Sequence, residues 1–300
     1  MRNVRIATMY LTPAASTQAR KLKTGLEYAD LAGQDGADIF CLPEFFGVFQ
    51  HIKGSWDKYA QSVPGPTTDL LARKARKYSM YVVCPVLEKR GGKLYNSAVL
   101  IDRKGKVAGI YCKHVPTIGE LENGVVPGTE VKAFATDFGK VGMVICFDLN
   151  FHDLKEKWRQ QNPDIIFWPS AFEGGALLEG WAQYCQAYVV SSTYGENARI
   201  LDKTGATLAQ ARWQRPFVAA TVNLERAAYH WDNTTSKVPG IKKRYGQDVG
   251  VEYHTPEGWI FLSCQKRGLT LRQLEREFRL ERCMDYLLRA RAVRDKAVQS

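Results

Sequence analysis

The sequence predicts an α/β protein in which mixed β-sheets are covered by helices. Short apolar runs rich in β-formers recur between longer stretches of helical character. The first such run, a helical stretch and then ADIFCLPE follow in β-α-β order, the pattern of a layered α/β core. The middle of the chain differs. EKRGGKLYNSAVLIDRKGKVAGIYCK reads as antiparallel hairpins turning at Gly91-Gly92 and Lys104-Gly105, and ARILDKTGATLAQAR as a further hairpin turning at Lys203-Thr204-Gly205.

Taken in order, strands are expected at 4–10, 39–42, 81–86, 97–101, 107–111, 141–146, 165–168, 187–191 and 217–222. Helices are expected at 14–32, 67–77, 154–161 and 181–188. In the first helix Leu22, Leu26, Ala29 and Leu31 lie near helical spacing with charges between them. The last segment, 269–297, reads as helix. Its apolar positions Leu271, Leu274, Phe278, Leu280, Met284, Leu287 and Leu288 recur mostly at three or four residues. No linker, low-complexity tract or internal repeat stands out.

Three hundred residues suffice for one large domain or at most two, and 45% hydrophobic with 24% charged residues is an ordinary globular composition. No run approaches the eighteen or so apolar residues of a membrane span. The opening MRNVRIATMYLTP lacks a secretory apolar region and reads as the first strand, so a cytoplasmic protein is expected. The seven cysteines are scattered without a CxxC pair, which fits neither a disulfide framework nor a zinc site. Most are expected to be reduced and buried. The net charge of +11 concentrates in 241–244 and in the arginine-rich tail 267–294, and reads as a solvated basic surface. LTLRQLEREFRL has the look of the first helix of a helix-turn-helix, but no turn and recognition helix follow, so nucleic acid is not an expected partner.

Three sites place a reactive side chain at the end of an apolar strand, where α/β folds collect their ligands. In DIFCLPEFFGVF the strand ends at Glu44, beside Phe45, Phe46 and Phe49, and such desolvation would raise a carboxylate toward a useful base. In GIYCKHVPTIGELENGVVPG, Lys113 ends a strand with His114 beside it and Glu120 and Glu122 downstream. A lysine there can stabilise an oxyanion and hold a thiolate. In GKVGMVICFDLNF, Val141 to Ile145 run into Cys146 and a polar turn with Asp148 and Asn150. An exposed cysteine at a strand-to-helix turn is expected to have a lowered pKa.

PE at Glu44, YCKHVP at Lys113 and GMVICFDLNF at Cys146, in that order, resemble the nitrilase superfamily of carbon–nitrogen hydrolases, in its amidase-like branch. ADIFCLPE, VPG at 126–128, IIFWPSAF and GENARILDKTGATLAQA extend the resemblance over roughly residues 4–265. It implies a four-layer α-β-β-α sandwich for 1–265 and leaves 266–300 as a C-terminal helical extension. It implies Cys146 as nucleophile, Glu44 as general base and Lys113 as oxyanion stabiliser. The supporting glutamate is Glu120, with Glu122 left open. Phe45, Phe147, Asn150 and Ala171, which sit in these motifs, are expected to bind substrate. The implied reaction cleaves a small amide or carbamoyl compound through a cysteine thioester, releasing ammonia or an amine, with no cofactor and no metal. A homo-oligomer, dimer or larger, is the expected assembly, with no membrane partner.

Two departures narrow the reading. Many members have an arginine where Asn150 stands, at the place where the resemblance implies that carbamoyl amino-acid hydrolases hold a carboxylate, so that class loses weight. The Cys-Phe-Asp start, rather than Cys-Trp-Glu, favours amides over nitriles. The alternatives are nitrile hydrolysis, a catalytically silent binding protein on the same fold, and a Cys–His pair drawing on His114, His152, His230 or His254.

Overall fold

The computed structural model describes residues 2–11, 17–48, 52 and 54–299. These form two compact units, Val4–Val222 and residues 223–299 with Arg2 and Asn3.

The larger unit opens with β1 (Asn3–Met9), α1 (Gln18–Gln34) and β2 (Ile39–Cys41). The first helix starts where Thr17 accepts the Arg20 N–H at 3.2 Å, an N-cap the sequence supplies. Next come α2 (Pro66–Tyr78), β3 (Tyr81–Arg90), β4 (Lys93–Ile101) and β5 (Val107–Cys112). Pro66 opens α2 at the position where a missing N–H costs nothing, and Leu71, Ala72 and Ala75 form its buried face. Strands β1, β2 and β3 are parallel, with Ile6, Ile39 and Tyr81 in register, whereas β4 and β5 return as antiparallel hairpins. In the β4–β5 turn Asp102 accepts the N–H groups of Lys104 and Lys106, each at 2.8 Å.

The second half runs α3 (Ile118–Glu122), β6 (Phe134–Ala135), β7 (Lys140–Met143), α4 (His152–Gln161) and β8 (Ile165–Pro169). Then α5 (Ala176–Cys185), β9 (Tyr188–Ser192), β10 (Arg199–Leu201) and β11 (Thr207–Gln210) follow, and β12 (Phe217–Asn223) returns beside β1. The sheets have the orders β12-β1-β2-β3-β4-β5 and β11-β10-β9-β8-β7-β6. Each holds three parallel strands followed by antiparallel returns, so the architecture repeats although no stretch of sequence does. Even the turn chemistry recurs, with Asp202 accepting the Thr204 and Ala206 N–H groups as Asp102 does in the first half.

The sheets meet along β1 and β9, where Thr8 donates its hydroxyl to Ser191 O at 2.7 Å and Ser192 donates to Met9 O at 2.8 Å. Helices α1 and α2 pack together on one side and α4 and α5 on the other. The result is the four-layer α-β-β-α sandwich expected from the sequence.

Two boundaries differ in ways that bear on the site. The strand expected at 141–146 ends at Met143, and Cys146 instead opens a tight 3-10 turn, Cys146–Asn150. The helix expected at 181–188 covers Ala176–Cys185, since Gln186 takes a left-handed conformation and Tyr188 already belongs to β9. The first helix was expected from 14, and residues 14–16 lie outside the described residues.

The smaller unit contains β13 (Arg226–His230), α6 (Trp231–Thr234), α7 (Val238–Tyr245), β14 (Val249–His254), β15 (Trp259–Cys264), α8 (Leu271–Phe278) and α9 (Cys283–Gln299). Its sheet is antiparallel in the order β13-β15-β14, and none of these strands was expected from the sequence. Leu271, Leu274 and Leu280 join Tyr229, Ile241, Val249 and Leu262 in one core. The apolar stripe of the tail is therefore largely consumed inside its own chain. In α9 only Cys283 is buried, and Leu287, Leu288, Val293 and Val298 stay exposed. The boundary expected at 265 falls within this unit, just after β15. Among the described residues no helix is long and apolar enough to cross a membrane.

Candidate active site

Four of the residues singled out in the sequence converge in the larger unit. Glu44 follows β2 in a turn and is 2% exposed. Lys113 directly follows β5 and is 1% exposed. Its N–H donates to Asn96 O at 2.7 Å and its carbonyl accepts the Gly128 N–H at 2.8 Å. A Cβ at Gly128 would stand 2.2 Å from the Cys112 carbonyl oxygen, so only glycine lets the VPG segment press against the lysine. Glu120 is fixed by a capping box on α3: Thr117 Oγ1 accepts the Glu120 N–H at 3.3 Å, and Glu120 Oε2 accepts the Thr117 N–H at 2.7 Å.

Cys146 sits at φ +47°, in the left-handed region that a side chain rarely adopts. Such local strain persists only where surrounding bonds hold it. Trp168 donates its indole N–H to Cys146 O at 2.9 Å, and Trp181 donates to Leu149 O at 2.8 Å. Asp148, fully enclosed, accepts from Ile145 N at 3.1 Å, Val115 N at 2.7 Å, His114 N at 3.4 Å and the Tyr111 hydroxyl at 2.8 Å. The turn that carries the cysteine is thus bolted to the loop that carries the lysine.

The polar geometry is closely specified. Lys113 Nζ lies 2.9 Å from Glu44 Oε1 and 2.7 Å from Glu120 Oε2. Asn96 on β4 donates one N–H to Glu44 Oε1 and the other to Glu120 Oε1, each at 2.7 Å. Two carboxylates and one ammonium leave a net negative charge, which shapes the thiol. Burial pushes Cys146 well above its ordinary value and the Glu44 charge adds to this, while Lys113 and the Ala171 N–H pull down without offsetting it. Burial also works against the Lys113 ammonium, but Glu44, Cys146 and Glu120 hold it well above its ordinary value. Burial and the neighbouring charges thus favour the thiol at Cys146 and the ammonium at Lys113.

This corrects the sequence-based picture in two respects. Cys146 is buried rather than exposed, and burial with the Glu44 charge raises its thiol rather than lowering it, with Lys113 pulling the other way. The reason is local: the turn after the strand is a short 3-10 element, and enclosure with Glu44 outweighs any helix-terminus field. Glu44 is hydrogen-bonded to Lys113 and Asn96. Phe45 packs with Trp56, Leu87, Leu94 and Val125, Phe46 joins the helix-covered core, and Phe49 lies outside the described residues.

The other named residues divide. The Ala171 backbone N–H pulls the Cys146 thiol down. Phe147 is 36% exposed and meets Phe151 edge to face. Asn150 donates its amide to Phe147 O at 2.9 Å, closing its own turn. Glu122 is exposed, so of the two downstream glutamates it is Glu120 that meets Lys113. His114 faces Lys157 at 3.3 Å, with burial and then Lys157 lowering its pKa. Two site residues escaped the sequence analysis. Thr117-Ile118-Gly119-Glu120 is a capping-box pattern that would have separated Glu120 from Glu122. Asn96 is a lone amide in the row Leu94, Asn96, Ala98, Leu100, and a polar residue in such a row needs a partner. Among the described residues no group of three or more His, Cys, Asp or Glu side chains is placed to hold a metal ion.

The chain resembles known proteins in sequence and in fold. The family model for carbon-nitrogen hydrolase matches residues 5–230. The chain is 30% identical to omega-amidase NIT2 of Bos taurus over 227 residues, covering 66% of this chain and 80% of that protein. It is also 30% identical to beta-ureidopropionase of Arabidopsis thaliana over 178 residues, covering 55% of this chain and 43% of that one. Among solved structures, an amidase from Nesterenkonia sp. superposes with a TM-score of 0.64 at 18% identity, covering 73% of this chain and 90% of that one. Nit3 of Saccharomyces cerevisiae, a member of branch 10 of the nitrilase superfamily, gives 0.63 at 19% identity, covering 82% and 95%. The chain belongs to the carbon–nitrogen hydrolase family of the nitrilase superfamily.

Proposed function

We propose that the protein is an amidase that hydrolyses a small amide through a thioester on Cys146, releasing ammonia. The observation that carries this reading is the disposition of Glu44. Both Lys113 and Asn96 take Oε1, which leaves Oε2 for the thiol proton. Glu44 removes that proton as Cys146 Sγ attacks the amide carbon, forming the C–S bond and moving the carbonyl electrons onto oxygen. The Lys113 ammonium and the backbone N–H after Cys146 stabilise the oxyanion. When the carbonyl re-forms, the C–N bond breaks and Glu44 returns its proton to the leaving nitrogen. Water, deprotonated by Glu44, then attacks the thioester; the C–S bond breaks, and carboxylic acid and free thiol remain. Glu120 keeps Lys113 charged and in place throughout. Ala171 and Phe147 border the nucleophile and are proposed to contact the acyl group, whereas Phe45 and Asn150 act on the shape of their own turns.

The names of the relatives favour an amide, and the beta-ureidopropionase among them keeps a carbamoyl compound as the second reading. Ammonia release from a panel of simple amides, carbamoyl compounds and nitriles decides. Amides are expected to turn over fastest. Turnover of nitriles alone, or of nothing in the panel at any pH, would overturn the proposal.

A further inference from the structure

Asn96 has three hydrogen bonds that all serve the site. Its main-chain carbonyl accepts the Lys113 N–H at 2.7 Å, and its two amide hydrogens go to Glu44 Oε1 and Glu120 Oε1 at 2.7 Å each. The side chain is fully buried, and Asn96 Oδ1 is left without a hydrogen-bond partner. A buried amide normally satisfies both ends, and leaving an acceptor unpaired costs roughly 1–3 kcal/mol. The amide is therefore held in this orientation by its donors, with the orphaned oxygen as the consequence.

The donors have a specific effect on the two carboxylates. Glu44 Oε1 receives two N–H groups, from Lys113 and Asn96, and the charge of the same carboxylate raises the Cys146 thiol. Glu120 divides its partners differently, Oε2 taking Lys113 and the Thr117 N–H and Oε1 taking Asn96. Without the amide, Glu44 and Glu120 would share one ammonium with no other donor between them, and either could rotate or take up a proton. We infer that Asn96 is a positioning residue for the reaction proposed above: it fixes which oxygen of Glu44 serves as the base and keeps Glu44 and Glu120 ionised together around Lys113. Both of its amide hydrogens are taken by the glutamates, and it acts through them.

The test uses the full-length protein, with iodoacetamide as the probe of Cys146. Alkylation is followed by intact mass and peptide mapping across pH, beside ammonia release from the best amide in the panel. The charged and titratable groups about Glu44 are Lys113, Glu120, Cys146 and Tyr194, with Asp148 beyond Lys113. None is altered by Asn96→Leu, which keeps the volume and suits the apolar row. A donor to a carboxylate favours its charged form, so its loss makes the carboxylate easier to protonate. The acid limb of both pH profiles is expected to move to higher pH, with kcat reduced at least tenfold and KM nearly unchanged. Asn96→Asp, which keeps the shape but adds a third carboxylate, is expected to move the limb further in the same direction and covers the case in which the leucine variant fails to fold. Unmoved limbs in the folded variants would overturn the inference, whether or not the rate falls, because loss of packing lowers the rate without changing which proton matters. Cys146→Ala separates this from the parent reading. If that variant still releases ammonia, the thioester mechanism fails; if it is inert and the Asn96 limbs are unmoved, only the role of Asn96 fails.

Discussion

Asp148 Oδ1 accepts the Val115 backbone N–H at 2.7 Å, and this bond ties the turn of Cys146 to the loop of Lys113. Asp148 Oδ2 reinforces it by taking the His114 N–H, the Tyr111 hydroxyl and the Ile145 N–H. Cys146 stands two residues before this carboxylate and Lys113 two residues before Val115, so the distance between the proposed nucleophile and the proposed oxyanion stabiliser depends on an aspartate with no chemical step of its own in the proposal.

Asp148→Asn should therefore lower activity by roughly 10–100-fold, the scale expected for a displacement of about 1 Å at a reacting centre. Stability should respond to pH in a defined sense. Burial raises Asp148 to about 6, against an ordinary 3.8, although its hydrogen bonds pull it down. Its contribution to stability is then fully present below the unfolded value and is lost as pH rises through about 6. The deficit of the asparagine variant in denaturant titrations should be largest near pH 4 and shrink toward pH 7. A deficit independent of pH would contradict the assignment.

Substitutions at the charged pair should separate chemistry from stability. Glu44→Gln removes the base and keeps the shape, and should lower kcat by about 10²–10⁴-fold. Lys113→Ala should cost about 10²–10³-fold through the lost oxyanion contact, and it also strands two buried carboxylates, so the thermal midpoint should fall. Lys113→Arg should not rescue, because a planar guanidinium does not fit a fully enclosed site shaped for an ammonium between two glutamates. Wild-type rates in the glutamine or alanine variant would count against these roles.

The tail offers a different comparison. Removing 269–300 takes Leu271, Leu274 and Leu280 out of the core of the smaller unit, each worth roughly 1.5–3 kcal/mol of burial. That truncation should lower the thermal midpoint sharply. Removing only 287–300 leaves those leucines in place and should change the midpoint little. Light scattering on the shorter truncation tests the expected oligomer, since the exposed Leu287, Leu288, Val293 and Val298 go with it. Equal midpoints for the two truncations would contradict the packing of α8.

What could be read from the sequence follows the strength of local signals. Parallel strands such as Ile165–Pro169 are apolar on both faces and announce themselves. So do turns like 102–105 and 202–205, whose aspartates and glycines have few other uses. The exposed-edge strand Val249–His254 is half polar, and nothing local distinguishes it from a loop. At the site, Glu44, Lys113 and Cys146 stood out because each follows an apolar run and sits in a motif resembling one family. Asn96 did not, and Asp148 was read only as part of a polar turn, because their partners lie 24 to 52 and 33 to 37 residues away. The raised thiol escaped for the same reason: enclosure and the Glu44 charge are properties of the assembled site.

The central claim is that Cys146 is the nucleophile and forms an acyl thioester. The direct measurement is intact mass spectrometry of the Glu44→Gln protein, quenched in acid during incubation with the best amide substrate and followed by peptide mapping. With the base removed, hydrolysis of the thioester should slow more than residual acylation. An adduct equal in mass to the acyl group is then expected on the peptide containing Cys146, and absent from a Cys146→Ser protein treated the same way. Ammonia release undiminished in Cys146→Ala, or the adduct on another cysteine, would contradict the account.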